Sequence, residues 1–379
     1  MEYPTSVKTK GEKSPVRSAG SPAKALMPPS ITIPNVPYIS TSVTSPVRSK
    51  FGPPSLNSLS RALYAPFKSI PLTGSKILSA KAAAASASSR KISDFESISI
   101  IGSGSFGVVY SMKDKATDET VVVKMMDKND INKYFASSEY TILERLKPYC
   151  KDYILCGMEF MEDDDKYYIV SEFLGNYVSM FDYMETKKLS RKELRGIFVN
   201  VVNGLKLIHS QGVIHRDIKP ENIMVNPSTL DIKYIDFGIS CIDDGCSYIN
   251  AAGTSTYMPP EMSFDNYIRY TKNEVIDQDY WSLGMTLVTL ILQKIPQEIL
   301  LNQHLDEMSK KNPTGYRMFM NDKASLLEKI KQYYESIRIK PDFPSKVVSL
   351  IRDKVYDKDK THIETLLSLN PSDRRLPHF

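Results

Sequence analysis

The run Val213-Ile-His215-Arg216-Asp217-Ile-Lys219-Pro220-Glu-Asn222-Ile-Met-Val225 is followed, fourteen residues beyond Asn222, by Asp236-Phe237-Gly238. The apolar pieces around it (Val213-Ile214, Ile223 to Val225, Tyr234-Ile235) place an Asp, a Lys two residues later, an Asn five residues later and a second Asp between apolar strands. Phosphoryl transfer needs such a set. One carboxylate orients the attacking hydroxyl and takes its proton, an amide and another carboxylate hold Mg²⁺ on the phosphates, and a cation offsets charge on the moving group.

Just upstream, Arg191 to His209 carries Leu194, Ile197, Phe198, Val201, Val202, Leu205 and Ile208 at spacings of three and four. That pattern predicts an amphipathic helix, with Gly212 placed to end it. Further back, Ile98, Ile100 and Ile101 lead into Gly102-Ser103-Gly104-Ser105-Phe106-Gly107-Val108-Val109-Tyr110. A polar turn, Ala116 to Glu119, precedes the β-branched run Thr120 to Val123, which closes on Lys124. These residue types predict strand, glycine turn, strand, turn, strand. In dinucleotide-binding folds G-x-G-x-x-G opens a helix, but here Val108 to Tyr110 continue as a strand, so the loop is a hairpin that can lie over phosphates. Its glycines let backbone N–H groups approach anionic oxygens with no Cβ in the way. Lys124, at the end of an apolar strand, needs an anionic partner. Glu139, fifteen residues on in a helical run, is the favoured one; Glu144 competes from a different helix face.

In this order the motifs resemble those of eukaryotic-type protein kinases, over about residues 95–379. The resemblance implies an α+β, bilobal fold, with a small β-rich N-lobe over about 95–173 and a larger helical C-lobe over about 174–379. It implies ATP and Mg²⁺ as cofactors and protein substrates as partners. Ile101, Gly102, Ser103, Gly104, Ser105, Phe106, Gly107, Val108 and Val109 would form the loop over ATP, and Lys124, paired with Glu139, would contact its α/β-phosphates. Tyr168 to Leu174 resembles the strand and hinge against which adenine docks, so Glu172 and Leu174 would line that position and Ser171 would be a small gatekeeper. Asp217 would be the catalytic base, Lys219 the charge partner of the γ-phosphate, and Asn222 and Asp236 the Mg²⁺ ligands. Gly253-Thr254 to Pro260-Glu261 resembles the substrate loop, with Pro259 replacing the usual alanine of its ending. Asp279-Tyr-Trp281 resembles the start of the buried helix beneath that loop, and Arg374 is expected to pair with Glu261. Lys219 and Gly253-Thr254 look like the serine/threonine branch. The rival reading is a pseudokinase scaffold, disfavoured because Lys124, Asp217, Asn222 and Asp236 are all present. From Lys294 to Lys360 only helical periodicity is legible.

Composition divides the chain. Its 379 residues carry a net charge of +5, but residues 1–91 hold 13 Lys and Arg against Glu2 and Glu12, a net of +11 that leaves −6 for the rest. Twelve of the 23 prolines fall there too. A disordered basic tail is expected. Ser14-Pro-Val-Arg17, Ser21-Pro-Ala-Lys24 and Ser45-Pro-Val-Arg48 repeat S-P-x-[K/R], which resembles acceptors of proline-directed kinases and basic motifs that bind the DNA minor groove. Nucleic acid or an acidic scaffold is the partner such a tail suggests, tuned by phosphorylation. No apolar run approaches a membrane span, and with acidic, Pro and Lys residues near Met1 no secretory leader is expected. The four cysteines, Cys150, Cys156, Cys241 and Cys246, are expected as unpaired thiols in a reducing compartment, cytoplasmic or nuclear. Cys241 with Cys246 as a redox pair is the weaker alternative. Arg216 is placed to meet negative charge on the activation segment, from a phosphate on Ser247, Tyr248, Ser255 or Thr256, or from Asp243-Asp244. Thr254 is read instead as a structural contact to the catalytic loop.

Overall fold

The computed structural model describes residues 90–104, 107–242, 252–262, 269–322 and 324–379. The expected tail up to residue 89 lies outside the described residues, as do Ser105, Phe106, Asp243, Asp244, Cys246, Ser247 and Tyr248.

The β-branched run becomes β3 (Thr120–Asp127), the middle strand of a five-stranded antiparallel sheet. Its neighbours are β1 (Phe95–Gly104), β2 (Gly107–Asp114), β4 (Gly157–Glu162) and β5 (Lys166–Glu172), in the order β1-β2-β3-β5-β4. Val121 and Val123 point to one face and pack with Phe95, Met112, Tyr168 and Val170. The strand's period of two sends Lys124 and Met126 the other way, toward helix α1 (Asp130–Leu146). Asn129 caps α1 by accepting from the Asn132 amide at 2.7 Å, and Phe135, Ala136, Glu139, Ile142, Leu143 and Leu146 form its buried face. Register in the sheet sets Lys124 opposite Val109 on one side and Ile169 on the other.

The large lobe is helical: α2 (Met180–Thr186), α3 (Arg191–Ser210), α4 (Lys272–Leu292), α5 (Pro296–Lys311), α6 (Pro313–Asn321), α7 (Leu326–Arg338), α8 (Phe343–Ser349) and α9 (Asp357–Leu366). Ser190 and Glu193 close a capping box on α3, and Gly212, at φ +66°, follows its end. α4 is apolar on almost every side and sits in the core, with Trp281, Met285 and Val288 fully buried. The 294–360 stretch is α5 to α8 and the start of α9, and Leu301, Ile330, Tyr334, Ile337 and Phe343 join it to the same core. Short strands lie above α3 and α4: β7 (Val213–Ile214) pairs with β10 (Cys241–Ile242), and β6 (Val178–Ser179), β8 (Ile223–Val225) and β9 (Ile232–Tyr234) form a second small sheet. The architecture is the two-lobed α+β arrangement the resemblance implies. No helix among the described residues is long and apolar enough to cross a membrane.

The cysteines correct an expectation. Cys150 and Cys156 are joined by a disulfide with their Cα atoms 4.8 Å apart, and Cys241 is disulfide-bonded as well. The physical reason is local. The chain leaves α1 through a 3₁₀ turn (Lys147–Tyr149) and doubles back before β4, which brings two residues six apart to bridging distance. Among the described residues no cysteine is therefore an unpaired thiol, and the cysteine argument for a reducing compartment goes with that expectation.

Candidate active site

The loop that carries Asp217 is shaped by a buried carboxylate beneath it. Asp279, on α4, accepts from the backbone amides of His215 and Arg216, both at 2.8 Å, and from Nε2 of His209 at 2.8 Å. Those bonds hold Arg216 at φ +68°, a left-handed conformation costing a non-glycine residue about 1–2 kcal/mol. Gly253 sits at φ +126°, where a Cβ would stand 2.5 Å from the Arg216 carbonyl oxygen, so this approach of the two segments needs glycine. Gln278, next to Asp279, donates to the carbonyls of Ala252 (2.6 Å) and Arg216 (3.1 Å) and joins them. His215 is wholly buried, and burial pushes its imidazole below the usual range.

Asp217 is presented by this loop. Its Oδ2 accepts from Lys219 Nζ at 2.9 Å and Asn222 Nδ2 at 3.1 Å, and its Oδ1 accepts from the Thr254 hydroxyl at 2.7 Å. Lys219 Nζ also donates to Thr254 Oγ1 at 2.9 Å. Burial works against charge on Lys219, but the adjacent Asp217 outweighs it and raises its pKa. Asn222 Nδ2 donates to the Asp217 carbonyl as well, at 2.8 Å, so its amide hydrogens face the loop. Next to this network both carboxylate oxygens of Glu221 are closed off from solvent with no hydrogen-bond partner among the described residues. Burial raises Glu221 to about 7.

The opposite wall comes from the small lobe. Lys124 Nζ lies 2.7 Å from Glu139 Oε2 and 3.1 Å from Asp236 Oδ1. Burial pulls its pKa down, yet Asp236 and Glu139 together raise it above the ordinary lysine value. Glu144 instead meets Lys147. Asp236 is held at φ +59°, while Phe237 beside it is buried against the His215 ring, 5.0 Å between centroids. The glycine hairpin adjoins this corner where Val109 pairs with Lys124, and in it Gly102 lies opposite Val109, Ser103 opposite Val108 and Gly104 opposite Gly107. Gly107, at φ +151°, lies so close to β3 that a Cβ would stand 2.0 Å from the Met125 oxygen. Ile101 is exposed, Val108 and Val109 are half-buried, Ser171 is buried and Leu174 is half-buried.

Asn222 and Asp236 are hard oxygen donors, and the Asp236 side chain is 42% exposed. Among the described residues no cluster of three or more His, Cys, Asp or Glu forms a metal cage. That donor set suits Mg²⁺, which keeps waters and takes substrate phosphate oxygens in preference to an all-protein shell.

Sequence reading missed three supports. Gln278 was unremarkable in a helix. Arg338, at the end of α7, is buried and donates to the carbonyls of Pro259 (2.5 Å) and Met262 (3.1 Å), bracing the segment that ends in Glu261. Beside it Arg374, which is not one of the three, grips Glu261 as its place in the sequence predicts, at 2.5 and 3.0 Å, its guanidinium 4.8 Å over the Trp281 ring. The third is Lys233, a charged residue in a three-residue strand buried throughout, which was the available signal.

Residues 95–375 match the protein kinase domain. Among known proteins, the serine/threonine-protein kinase PSK1 of Saccharomyces cerevisiae is 33% identical over 219 residues, 55% of this chain and 16% of its own length. PSK2 of the same yeast is 32% identical over 219 residues, 55% of this chain and 19% of its own length. The serine/threonine-protein kinase pim-2 of Danio rerio is 30% identical over 243 residues, 60% of this chain and 75% of its own. The chain thus spans less than a fifth of the two yeast kinases and three quarters of the fish one. With the domain matched across both lobes and the site assembled between them, the chain belongs to the protein kinase family.

Proposed function

We propose that the chain transfers the γ-phosphate of ATP to serine and threonine hydroxyls of protein substrates, with Mg²⁺ as cofactor. The observation that carries this reading is the environment of Asp217, a buried carboxylate held by Lys219, Asn222 and Thr254 on a loop fixed from below. Asp217 orients the acceptor hydroxyl and takes its proton as the oxygen attacks. Lys219, already charged and pointed at Asp217, offsets negative charge on the transferring group. Thr254 bonds to both, so the substrate loop and the catalytic loop are set as one unit, an arrangement that favours the serine/threonine branch. Lys124, aligned by Glu139, holds the α/β-phosphates under the glycine hairpin, and the backbone at Glu172 and Leu174 would flank the adenine position. Asn222 and Asp236 would hold Mg²⁺, which when bound neutralises phosphate charge.

The test is phosphate transfer from labelled ATP with Mg²⁺ onto casein or histone by the full chain and by Asp217→Asn. Transfer by the wild type that drops about 10³-fold in the variant is the expected result. Transfer surviving the substitution would remove Asp217 from its role. ATP binding without transfer in either protein would favour the pseudokinase reading.

A further inference from the structure

Lys233 is a buried cation that phosphoryl transfer does not use. It is the middle residue of β9, and its side chain is 7% exposed. Its Nζ donates to the backbone oxygens of Cys150 (2.6 Å) and Ile154 (3.2 Å) and to Oε1 of Glu172 (2.6 Å). An ammonium has three hydrogens, and these acceptors take all of them. The same Glu172 oxygen accepts from the Cys156 amide at 2.8 Å, and the Glu172 amide donates back to the Cys156 carbonyl at 3.0 Å. Every partner thus belongs either to the loop closed by the Cys150–Cys156 disulfide or to the end of β5. The loop follows the helix that carries Glu139. Glu172 lies at the hinge, and Lys233 stands three residues before Asp236. One buried ammonium therefore ties together the backbone segments that lead to three parts of the nucleotide site.

We propose that Lys233 is a positioning residue for the nucleotide and that the Cys150–Cys156 disulfide holds the carbonyls it needs, so that nucleotide affinity follows the thiol–disulfide state of this loop. The proposal rests on the ATP reading above. The switching step is an exchange with a dithiol. The reductant supplies two electrons and two protons, the Cys150–Cys156 bond becomes two thiols, and the reductant closes its own disulfide. Opening a seven-residue ring frees the backbone that presents the Cys150 and Ile154 oxygens. A buried ammonium that loses two acceptors is no longer satisfied in place, so Lys233 and Glu172 shift together. The hinge end of β5 then loses its anchor.

The experiment titrates a fluorescent ATP analogue into the full chain and measures kcat and the ATP KM on casein, before and after dithiothreitol. Because dithiothreitol also reaches Cys241, Cys150→Ser with Cys156→Ser isolates this loop. Lys233→Met removes the clamp, and a triple variant joins the two changes. The Cys pair variant and Lys233→Met should each weaken nucleotide binding and raise the ATP KM about tenfold, with kcat held within about twofold. The triple variant should bind no more weakly than Lys233→Met alone, because both changes remove one interaction. Additive losses would overturn the proposal, as would unchanged affinity or a fall confined to kcat. Should Lys233→Met lose its cooperative thermal melt, Glu172→Gln, which keeps the acceptor oxygen and removes the charge, takes its place. It should weaken binding less and blunt the response to the Cys pair change. A full response there counts against the clamp. Wild type that binds no nucleotide in either redox state sinks the ATP reading and the clamp together. Wild type that binds equally well in both states sinks only the clamp.

Discussion

The catalytic loop hangs on backbone hydrogen bonds from the large-lobe core, whereas the Lys124 corner hangs on side chains that reach across from the small lobe. Asp279 meets two backbone amides at 2.8 Å each from a position with no solvent exposure. Lys124 meets Glu139 and Asp236 through one ammonium, and the Asp236 side chain remains 42% exposed. A backbone amide cannot swing away from its acceptor without moving the chain, but a lysine head needs only a rotamer change. Asp217 is therefore built into the fold, and the Lys124 corner is assembled by the approach of two lobes. This difference in anchoring puts losses of stability under the Asp217 loop and losses of turnover alone at the Lys124 corner.

Its largest expected effect is the loss of about 10³-fold in kcat for Asp217→Asn, which removes the group the rigid loop exists to present. Next comes Asp279→Ala, which touches no substrate. It leaves the amides of His215 and Arg216 buried without an acceptor and releases a left-handed residue, so unfolding in urea should show a loss of about 3–5 kcal/mol together with falling kcat. Full stability in that variant would break the contrast between the two walls.

A smaller effect reads the same wall by pH. Glu221 is raised by burial to about 7 in the fold, from 4.5, with Lys219, Asp217 and Asp182 as its charged neighbours. A carboxyl whose folded pKa is raised favours the native state while it is protonated. The contribution is whole below pH 4.5 and lost as pH climbs to about 7, for a total of about 3 kcal/mol. Glu221→Gln should remove that slope, so the stability difference between variant and wild type grows in favour of the variant from pH 5 to 8. Asp277, raised to about 6 chiefly by burial, adds a slope of the same sign to both proteins and cancels in the difference. Parallel stability curves across that range would show Glu221 to be solvated.

What the sequence made legible follows the same division. The glycine hairpin, the α3 helix from Arg191 and the spacing from Asp217 to Asn222 are short-range patterns, each dictated by strand or helix period or by a tight loop. The supports act at a distance. Arg338 reaches Pro259 across 79 residues, and Lys233 reaches Cys150 across 83. Nothing within a turn of either residue says which carbonyl it will meet, because a long polar side chain at a helix end or strand centre has the same local signature whether it is solvated or buried. The Cys150–Cys156 bridge escaped for a related reason. Six-residue spacing matches no framework, and only the turn after α1 brings the sulfurs together.

The smallest effect falls on the small-lobe wall itself. Glu139→Gln keeps an oxygen facing Lys124 and removes the charge, while Asp236 remains 3.1 Å from Nζ. The lysine stays charged on that remaining partner, and no backbone amide loses an acceptor. Turnover should fall about tenfold, the scale of one charge-assisted contact made weaker, with unfolding free energy within about 1 kcal/mol of wild type. The loss should appear in kcat and the ATP KM together, since a less constrained Lys124 both binds and orients the phosphates less well. A drop in stability near that of Asp279→Ala would mean that the Lys124 corner is as much a part of the folded core as the catalytic loop. In that case the two walls would differ only in position, and closure of the lobes would be a consequence of folding and not of the nucleotide.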